Sequence, residues 1–267
     1  MADHGNAAAR VAVVTGANRG IGRALALAYA DAGYALALTA RDPATLGDTL
    51  AEIEGADGGS RTALALPCDV ADEASVEAMG KAVLERFGGV HTVVANAGIA
   101  GPTAPLHEIT LAEWRECLAT DLDGVFLTFR AFVPAMIDAG AGGSLIAISS
   151  MTGKRPLLDR TPYAAAKMAV IGLVRTLAHE LGPHGIRVNT VCPGAVTGPR
   201  IDAVVRNQAR ARGVSEEEAR AAFTSASPLG RFVEADEVAR ACTFLSSDAA
   251  ASITGEDLNV NAGVAMY

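Results

Sequence analysis

The sequence has few of the residues that mark several large protein classes. Aromatic residues make up only 4% of the 267 residues, and the four cysteines are scattered without a C-x-x-C pair. This spacing indicates neither a zinc site nor a disulfide framework. We expect Cys68, Cys117, Cys192 and Cys242 to be buried free thiols in a reducing compartment. The five histidines have no metal-ligand spacing, and we predict no metal site.

Positive charge and long apolar runs are also scarce. The formal net charge is -8 and the pI is about 5.1, which argues against nucleic-acid or anionic-membrane partners, because these need clustered positive charge. No apolar run approaches membrane-spanning length, and the first ten residues lack the pattern of a signal peptide. We therefore expect a cytoplasmic protein with no nucleic-acid or membrane partner.

Apolar runs of strand length alternate with longer helical patterns nearly to the end of the chain. Most of these runs are continuously apolar, as expected for parallel strands that are buried on both faces. The sequence therefore predicts an α/β fold, in which residues 1–267 form one Rossmann-like, doubly wound domain. Its seven-stranded parallel sheet would carry helices on both faces. The predicted strands start at Val11, Tyr34, Thr62, His91, Ser144, Ile186 and Asp257.

Helical patterns fill most of the intervals between these strands. Helices are predicted over residues 21–32, 43–53, 73–87, 111–138, 162–181 and 235–246, and a flexible turn over residues 55–60. Residues 197–229 form a charged, helix-prone stretch without a strand. Insertions at this point of an open α/β sheet lie over the ligand crevice. We expect a substrate lid here, with a solvated helical pair as the alternative.

A glycine-rich turn, TGANRGIG, follows the first strand and opens a helix. Gly16 allows the tight turn, Gly20 leaves room for a pyrophosphate, and Gly22 allows close packing of helix on strand. The helix start would offer unpaired N–H groups and a favourable dipole to the anion. The turn therefore predicts a dinucleotide site, which also includes Asn18, Arg19 and Ile21.

A tyrosine and a lysine are spaced for proton transfer. Tyr163 and Lys167 are four residues apart, and Ser150 lies thirteen residues upstream of the tyrosine. Residues i and i+4 share one helix face, so the ammonium would lie beside the phenol and favour its ionised form. With Thr161 as N-cap and Pro162 as the first helical residue, the helix dipole would act in the same direction. Together with the glycine turn, this arrangement indicates a nicotinamide-dependent oxidoreductase.

The end of the second strand indicates which nicotinamide is bound. An acidic residue about twenty positions after the turn would hold the ribose 2′-hydroxyl of NAD, but the chain has Arg41 there. With Arg19, this guanidinium suits the 2′-phosphate of NADP, so NADP(H) is favoured. Asp42 leaves NAD(H) open, because a small rotation of the loop would bring its carboxylate to the ribose.

The order of the motifs resembles that of the short-chain dehydrogenase/reductase family along nearly the whole chain. The motifs are TGANRGIG, Cys68-Asp69-Val70, Asn96-Ala97-Gly98, Ser150, Tyr163-x-x-x-Lys167 and Pro193-Gly194. The resemblance implies that Asp69 and Val70 contact the adenine. It further implies that the cofactor cleft and the nicotinamide carboxamide are contacted by Asn96, Ala97, Gly98, Pro193, Gly194, Val196 and Thr197.

The resemblance also implies the reaction. Hydride would pass between the nicotinamide and a ketone or secondary alcohol, while Tyr163 transfers the proton, Ser150 polarises the oxygen, and Lys167 bonds the ribose hydroxyls as well. Substrates of the 3-oxoacyl, sugar or polyol, and cyclic ketone types remain open. The pocket would be lined by Ser150, Met151, Thr152, Tyr163 and Val196. Family resemblance also implies a homotetramer, packed through the helices at residues 111–138 and 162–181.

One position departs from the family pattern. The fourth catalytic residue of the family is an asparagine in a segment resembling N-L-x-G-V-F, where this chain has Asp121. The asparagine helps to hold a water in a proton relay to the lysine, but an ionised carboxylate accepts hydrogen bonds without donating them. Its charge would also oppose the effect of Lys167 on Tyr163. We keep Asp121 as a relay residue.

Other interpretations can be compared with the same motifs. An NAD-dependent alcohol or diol dehydrogenase of this family is one alternative, and a non-catalytic nucleotide-binding redox sensor is another. Enoyl reductases resemble a Y-x₆-K pattern, which this chain lacks. Lys154, Arg155, Asp159 and Arg160 lie between the serine and the tyrosine. We expect some of these to border the substrate entrance as solvated rim residues, with recognition of a carboxylate or phosphate on the substrate by the positive charges as the alternative.

Overall fold

A computed structural model describes residues 9–55 and 62–267, in which seven parallel strands form one sheet. The strand order is β3-β2-β1-β4-β5-β6-β7. The strands are β1 (Val11–Thr15), β2 (Ala35–Ala40), β3 (Ala63–Pro67), β4 (Thr92–Ala95), β5 (Gly143–Ile148), β6 (Ile186–Pro193) and β7 (Asp257–Val260). All seven predicted strands are confirmed. Of the predicted turn over residues 55–60, all but Gly55 lies outside the described residues.

Helices cover both faces of the sheet. They are α1 (Gly20–Asp31), α2 (Gly47–Gly55), α3 (Glu73–Phe87), α4 (Leu111–Leu118), α5 (Gly124–Ala139), α6 (Met151–Lys154), α7 (Thr161–Leu181), α8 (Pro199–Arg212), α9 (Glu216–Ser225) and α10 (Ala235–Ser246). Successive strand residues point to opposite faces, so neighbouring valines of β1 enter different cores. Val13 packs in the core formed with α3, α5 and α7, whereas Val14 packs in the core formed with α1, α2 and α10.

Three predicted helices differ in detail from the structure. The helix predicted over residues 43–53 begins as a 3₁₀ helix, Pro43–Leu46, and continues as α2. The helix predicted over residues 111–138 is divided by a π-helical turn at Ala119–Asp123, which separates α4 from α5. The N-cap of α7 is Arg160, not Thr161, and no side chain caps the helix. Thr161 is therefore the first helical residue, and Tyr163 still lies in the first turn. The short α6 was not predicted.

Residues 197–229 contain two helices, as their composition suggested. α8 and α9 pack on each other around a small apolar cluster of their own. Its buried members are Ile201, Val204, Val205, Ala209, Ala219 and Phe232. An isolated parallel bridge between Val196 and Val233 closes the base of this excursion.

A crevice lies beyond the carboxyl ends of the neighbouring strands β1 and β4. The chain leaves β1 toward α1 on one face and leaves β4 toward α4 and α5 on the other. Ligands of open α/β sheets bind where the connections diverge in this way, outside the carboxyl ends of the strands. The fold therefore predicts a ligand-binding site in the crevice at the carboxyl ends of β1 and β4.

Within residues 9–55 and 62–267, none of the helices is both long and apolar enough to span a lipid bilayer. The same ranges contain no group of three or more His, Cys, Asp or Glu side chains that could hold a metal ion. All four cysteines are buried and free, as the sequence predicted. A cytoplasmic location stays a prediction.

A buried carboxylate in β7 holds two basic side chains. The Asp257 side chain is only 6% exposed, and its Oδ2 lies 2.9 Å from the Nζ of Lys154. Nε and Nη2 of Arg175 donate to its two oxygens at 3.0 and 3.1 Å. Lys154 is therefore not the solvated entrance residue that we expected, because its side chain is 8% exposed and ion-paired.

We predict that Asp257→Ala lowers the free energy of unfolding by about 3–5 kcal/mol, because it leaves the buried Lys154 ammonium unpaired. The matched control is Asp248→Ala. It removes an exposed ion pair to Arg10, and its loss should stay below about 1 kcal/mol. Urea denaturation of both variants measures the difference, and equal losses would contradict the interpretation.

Candidate active site

The glycine turn after β1 has the backbone that the sequence predicts for an anion site. Gly16 and Gly20 have φ angles of 65° and 53°, in the left-handed region that favours glycine. A Cβ on Gly22 would lie 2.0 Å from the carbonyl oxygen of Gly16, so only glycine fits where α1 packs on the turn. No side chain of the described residues caps α1 at Arg19. Its first N–H groups are thus available to an anion.

Asn96 fixes this turn to the end of β4. Its Nδ2 donates to the carbonyl oxygens of Thr15 and Gly16 at 2.8 and 3.2 Å. In return the buried Oγ1 of Thr15 accepts from the backbone N–H groups of Asn96 and Ala97, both at 3.0 Å. The two walls of the crevice are therefore joined by four hydrogen bonds. Thr15 was not among the predicted site residues, although it opens the TGANRGIG motif.

Arg41 and Asp42 follow β2 at the far end of the crevice. Oδ1 of Asp42 accepts from the backbone N–H of Ala44 at 3.0 Å and caps a short 3₁₀ helix, Pro43–Leu46. Its carboxylate is thus engaged by its own loop. Arg41 and Arg19 are both exposed, and within the described ranges neither guanidinium has a side-chain hydrogen bond or ion pair.

Asp69 and Val70 lie just beyond β3 and differ in exposure. Asp69 is exposed, and its Oδ1 accepts from the backbone N–H of Ala71 at 3.0 Å. Val70 is buried against Gly124, where an added Cβ would lie 2.8 Å from a methyl carbon of the valine. The structure therefore shows a turn residue and a packing residue here, at the end of the sheet where the sequence places the adenine.

Tyr163 and Lys167 lie side by side at the start of α7. The Nζ of Lys167 is 5.6 Å from the centroid of the Tyr163 ring, and the lysine side chain is 5% exposed. The ammonium donates to the carbonyl oxygen of Ile148 at 3.1 Å. The backbone around it is held as well, because the Ser149 hydroxyl donates to the carbonyl oxygen of Lys167 at 2.7 Å.

Ser150 lies two residues after β5, where it is the N-cap of α6. Its Oγ accepts from the backbone N–H of Thr152 at 3.1 Å. A serine hydroxyl that accepts in this way still has its own proton to donate. Met151 and Thr152 follow it and are buried, so the capping bond fixes the hydroxyl at the carboxyl edge of the sheet.

Asp121 lies on the π-helical turn and contacts Lys167. Its side chain is completely buried, and its Oδ1 is 3.6 Å from Nζ of the lysine. The same oxygen accepts from the backbone N–H of Ile99 at 2.9 Å. A Cβ on Gly98 would lie 2.4 Å from Oδ1 and 3.5 Å from Nζ. The glycine is thus what allows the carboxylate and the ammonium to meet.

Cys117 completes the surroundings of Asp121. Its thiol donates to Oδ2 at a sulfur–oxygen distance of 3.6 Å. Burial, and after it the charge of Asp121, raises the pKa of Cys117 to about 12. The cysteine is therefore a neutral thiol at physiological pH and contributes a weak hydrogen bond instead of a charge.

The segment after β6 forms the opposite wall of the crevice. The N–H of Gly194 donates to the carbonyl oxygen of Val260 at 2.9 Å, and a Cβ there would lie 2.9 Å from Cα of Asn261. Thr197 is fixed twice, by its N–H to Val233 and by its hydroxyl to Glu234, at 2.9 and 2.6 Å.

Arg160 does not lie where the sequence analysis expected. It is 3% exposed, with its guanidinium carbon 4.9 Å from the centroid of the Tyr163 ring. Its Nη2 donates to the carbonyl oxygen of Ala100 at 2.5 Å. The expectation of a solvated entrance residue is therefore wrong for Arg160 as well as for Lys154, whereas Arg155 is exposed as expected. The one sequence feature that could have indicated an ordered position is that Arg160 directly precedes the start of a helix.

The fold brings most of the predicted site residues to one edge of the sheet. The glycine turn, the segments that follow β4 and β6, and the Ser150, Tyr163 and Lys167 side chains all border the crevice. Arg41 and Asp69 lie at the same carboxyl edge but farther out, after β2 and β3. Asp121 does not lie at the end of a strand. The π-helical turn between α4 and α5 brings its side chain into contact with Lys167.

Comparison with known proteins places this architecture in a family. A family model described as Enoyl-(Acyl carrier protein) reductase matches residues 16–265. The chain is 40% identical to granaticin polyketide synthase putative ketoacyl reductase 1 of Streptomyces violaceoruber, over 98% of this chain and 96% of the relative. It is 39% identical to cis-4-hydroxycyclohexanecarboxylate dehydrogenase of Sinomonas cyclohexanicum, over 96% of each. D-threitol dehydrogenase of Mycolicibacterium smegmatis is 38% identical, over 95% of this chain and 92% of the relative.

Solved structures of two reductases are also similar to this chain over nearly its whole length. Levodione reductase superposes with a TM-score of 0.91 and 33% identity, covering 97% of this chain and 98% of that one. A variant of actinorhodin polyketide ketoreductase with NADPH gives 0.90 and 35%, with the same coverage. The chain belongs to the short-chain dehydrogenase/reductase family. It is an oxidoreductase that acts on CH–OH and C=O groups with a nicotinamide cofactor, and the predicted fold and family are confirmed.

Proposed function

We propose that this protein is an NADP(H)-dependent carbonyl reductase or alcohol dehydrogenase that works through Ser150, Tyr163 and Lys167. The observation that carries the proposal is the buried Lys167 ammonium, held beside the Tyr163 ring at the crevice. A cation in this place favours the phenolate. The tyrosine can then accept a proton from an alcohol or return it to a ketone.

The crevice fits a dinucleotide. Gly16 and Gly22 allow the close backbone packing that shapes the turn, a Cβ on Gly20 would meet nothing within 4 Å, and the start of α1 offers uncapped N–H groups to a pyrophosphate. Asn18, Gly20 and Ile21 complete the turn, and Asn96, Ala97, Gly98, Pro193, Gly194, Val196 and Thr197 would line the cofactor. When bound, the nicotinamide supplies or accepts the hydride.

The side chains of this chain handle the proton and the oxygen. Ser150 has its hydroxyl proton free to donate, because its Oγ already accepts from Thr152. It would therefore hydrogen-bond the substrate oxygen and stabilise negative charge as it develops there. Tyr163 would exchange its proton with that same oxygen. Lys167 would bond the ribose hydroxyls in addition to favouring the phenolate.

Asp121 would act on this chemistry through Lys167. Its Oδ1 lies on the side of the ammonium that faces Ile99, and the ionised carboxylate accepts hydrogen bonds only. We retain it as the residue that replaces the family asparagine in the proton relay. Met151, Thr152 and Val196 would form the adjoining wall of the substrate pocket.

The surroundings of Arg41 support NADP(H) over NAD(H). Arg41 and Arg19 are exposed and unengaged within the described ranges, so both guanidinium groups are available to a 2′-phosphate. Asp42 is the residue that would favour NAD, but its carboxylate caps the Pro43–Leu46 helix. Turning it toward a ribose would leave the N–H of Ala44 without that partner.

We predict that Arg41→Ala raises the Michaelis constant for NADPH about tenfold or more, because it removes a charge-assisted contact to the 2′-phosphate. The constant for NADH should change little, which makes NADH the internal control. Steady-state kinetics with both cofactors, followed at the dihydronicotinamide absorbance band, provide the measurement. A wild-type preference for NADH would contradict the proposed binding of the 2′-phosphate by Arg41 and Arg19.

The relatives point to ketones and secondary alcohols of three kinds. They are named for ketoacyl, polyol and hydroxycyclohexanecarboxylate substrates. We propose that the substrate of this chain falls in the same range of 3-oxoacyl, sugar or polyol, and cyclic compounds. Reduction of an enoyl double bond is disfavoured despite the description of the family model, because the tyrosine and lysine are spaced as Y-x₃-K.

We predict that Tyr163→Phe lowers turnover at least about 10²-fold on any ketone or secondary alcohol that the wild type accepts, because it removes the proton that the tyrosine transfers. Binding of NADPH, measured by its fluorescence, should be unchanged. Tyr34→Phe is the matched control, since Tyr34 lies beside the amino end of β2, away from the crevice. Retained turnover in Tyr163→Phe would refute the catalytic assignment.

We propose further that α8 and α9 form the substrate lid of residues 197–229. The support is a contact across the crevice, in which Nη2 of Arg200 at the start of α8 donates to the carbonyl oxygen of Gly98 at 2.5 Å. Most of the lid's buried apolar side chains belong to a small cluster with Phe232 that is separate from the two main cores, so we expect that the lid would move without exposing those cores. Slower proteolysis within residues 197–229 when NADPH is bound would support closure, and an unchanged rate would oppose it.

Assembly as a homotetramer is the remaining proposal. Leu111, Phe126 and Met168 expose large apolar side chains on α4, α5 and α7, the helices expected to pack against symmetry mates. Light scattering should give about four times the 27.2 kDa chain mass. Phe126→Glu should lower that mass, because it places a charge in an apolar contact. Val214→Glu, at an exposed residue of the lid, is the control, and equal masses for all three proteins would contradict the interface.

A further inference from the structure

Arg160 is a buried cation that the reaction described above does not use. Its guanidinium lies over the Tyr163 ring at 4.9 Å, donates to the carbonyl oxygen of Ala100, and is 3% exposed. Its Nε is buried without a hydrogen-bond partner among the described residues. Within the same residues no carboxylate lies in ion-pair distance of it. A structural arginine would normally have its charge paired.

The other charges around Tyr163 explain why such a cation is useful there. The Lys167 ammonium lies 5.6 Å from the ring centroid, but Asp121 is 3.6 Å from that ammonium and opposes its field. Cys117 faces the same cluster as a neutral thiol with its pKa raised to about 12. Arg200 approaches Arg160 from α8 and is exposed, so solvent screens its charge more strongly.

We propose that Arg160 is a positioning residue that compensates for Asp121. Where the family has a neutral asparagine, this chain has a carboxylate that weakens the effect of Lys167 on the phenol. The guanidinium on the ring restores a second positive field at the same phenol. A buried cation over an aromatic face is attracted to the ring, and it acts more strongly there than at the surface. This inference rests on the proposed function.

The test compares Arg160→Gln, Asp121→Asn and the double variant. The measured quantity is the pH at which kcat/KM for alcohol oxidation reaches half its maximum, since the phenolate is the base in that direction. Removing the cation should raise this pH by about one unit, and removing the carboxylate should lower it by a similar amount. The double variant should return close to the wild-type value.

Three further arms keep the result interpretable. Arg155→Gln removes an exposed positive charge five residues upstream and should leave the half-maximal pH unchanged. Arg160→Lys keeps a cation and should stay within about half a unit of wild type. If Arg160→Gln does not fold, the double variant is used in its place. It removes one positive and one negative charge, so the net charge of the cluster stays the same. Its half-maximal pH should then lie about one unit above that of Asp121→Asn.

An unchanged half-maximal pH in Arg160→Gln, with a loss confined to KM or to thermal stability, would overturn the proposal. Arg160 would then only anchor the Ala100 segment. Failure of this inference is distinguishable from failure of the proposed function. An inactive Tyr163→Phe with no shift in Arg160→Gln removes the inference alone, whereas an active Tyr163→Phe removes the catalytic assignment itself.

Discussion

The site depends on one buried ammonium. Lys167 Nζ is held by the carbonyl oxygen of Ile148 and by Asp121, and it faces the ring of Tyr163. A buried amine is stable only when its charge is paired and its hydrogen bonds are made. The surrounding structure meets that condition, because Gly98 leaves the space in which the carboxylate and the ammonium meet. Tyr163 lies beside this charge because it precedes Lys167 by about one turn of α7.

The parallel sheet supplies the frame in which this charge acts. The connections that follow β1 and β4 run to opposite faces of the sheet, and the two strand ends are joined by hydrogen bonds between Thr15 and Asn96. The glycine turn and the helix that carries Tyr163 and Lys167 are consequently attached to one edge of the sheet, with the uncapped start of α1 on one side and α7 on the other. Under the proposed function, hydride and proton would then reach the same carbonyl group from elements whose relative position is set by the sheet, as efficient transfer requires.

Features that depend on local sequence patterns could be predicted, whereas features that depend on contacts between distant parts of the chain could not. The strands were predictable because strands that are buried on both faces appear in the sequence as continuous apolar runs. The pairing of Tyr163 with Lys167 was predictable because residues four positions apart lie on the same face of a helix. The break between α4 and α5 was not predictable, since the π-helical turn at Asp121 is favoured by its contacts with Ile99 and Lys167. Lys154 and Arg160 were misjudged for the same reason. Their burial depends on Asp257 and Ala100, which are distant in sequence.

The most direct test of the central claim is a crystal structure of the protein with NADP⁺ and a substrate-like ketone. The account predicts the ketone oxygen within hydrogen-bond distance of both Tyr163 Oη and Ser150 Oγ. It also predicts Lys167 Nζ against the nicotinamide ribose, with Asp121 still on its opposite side. A ketone bound elsewhere in the crevice, or a Lys167 side chain turned away from both the ribose and the Tyr163 ring, would contradict it.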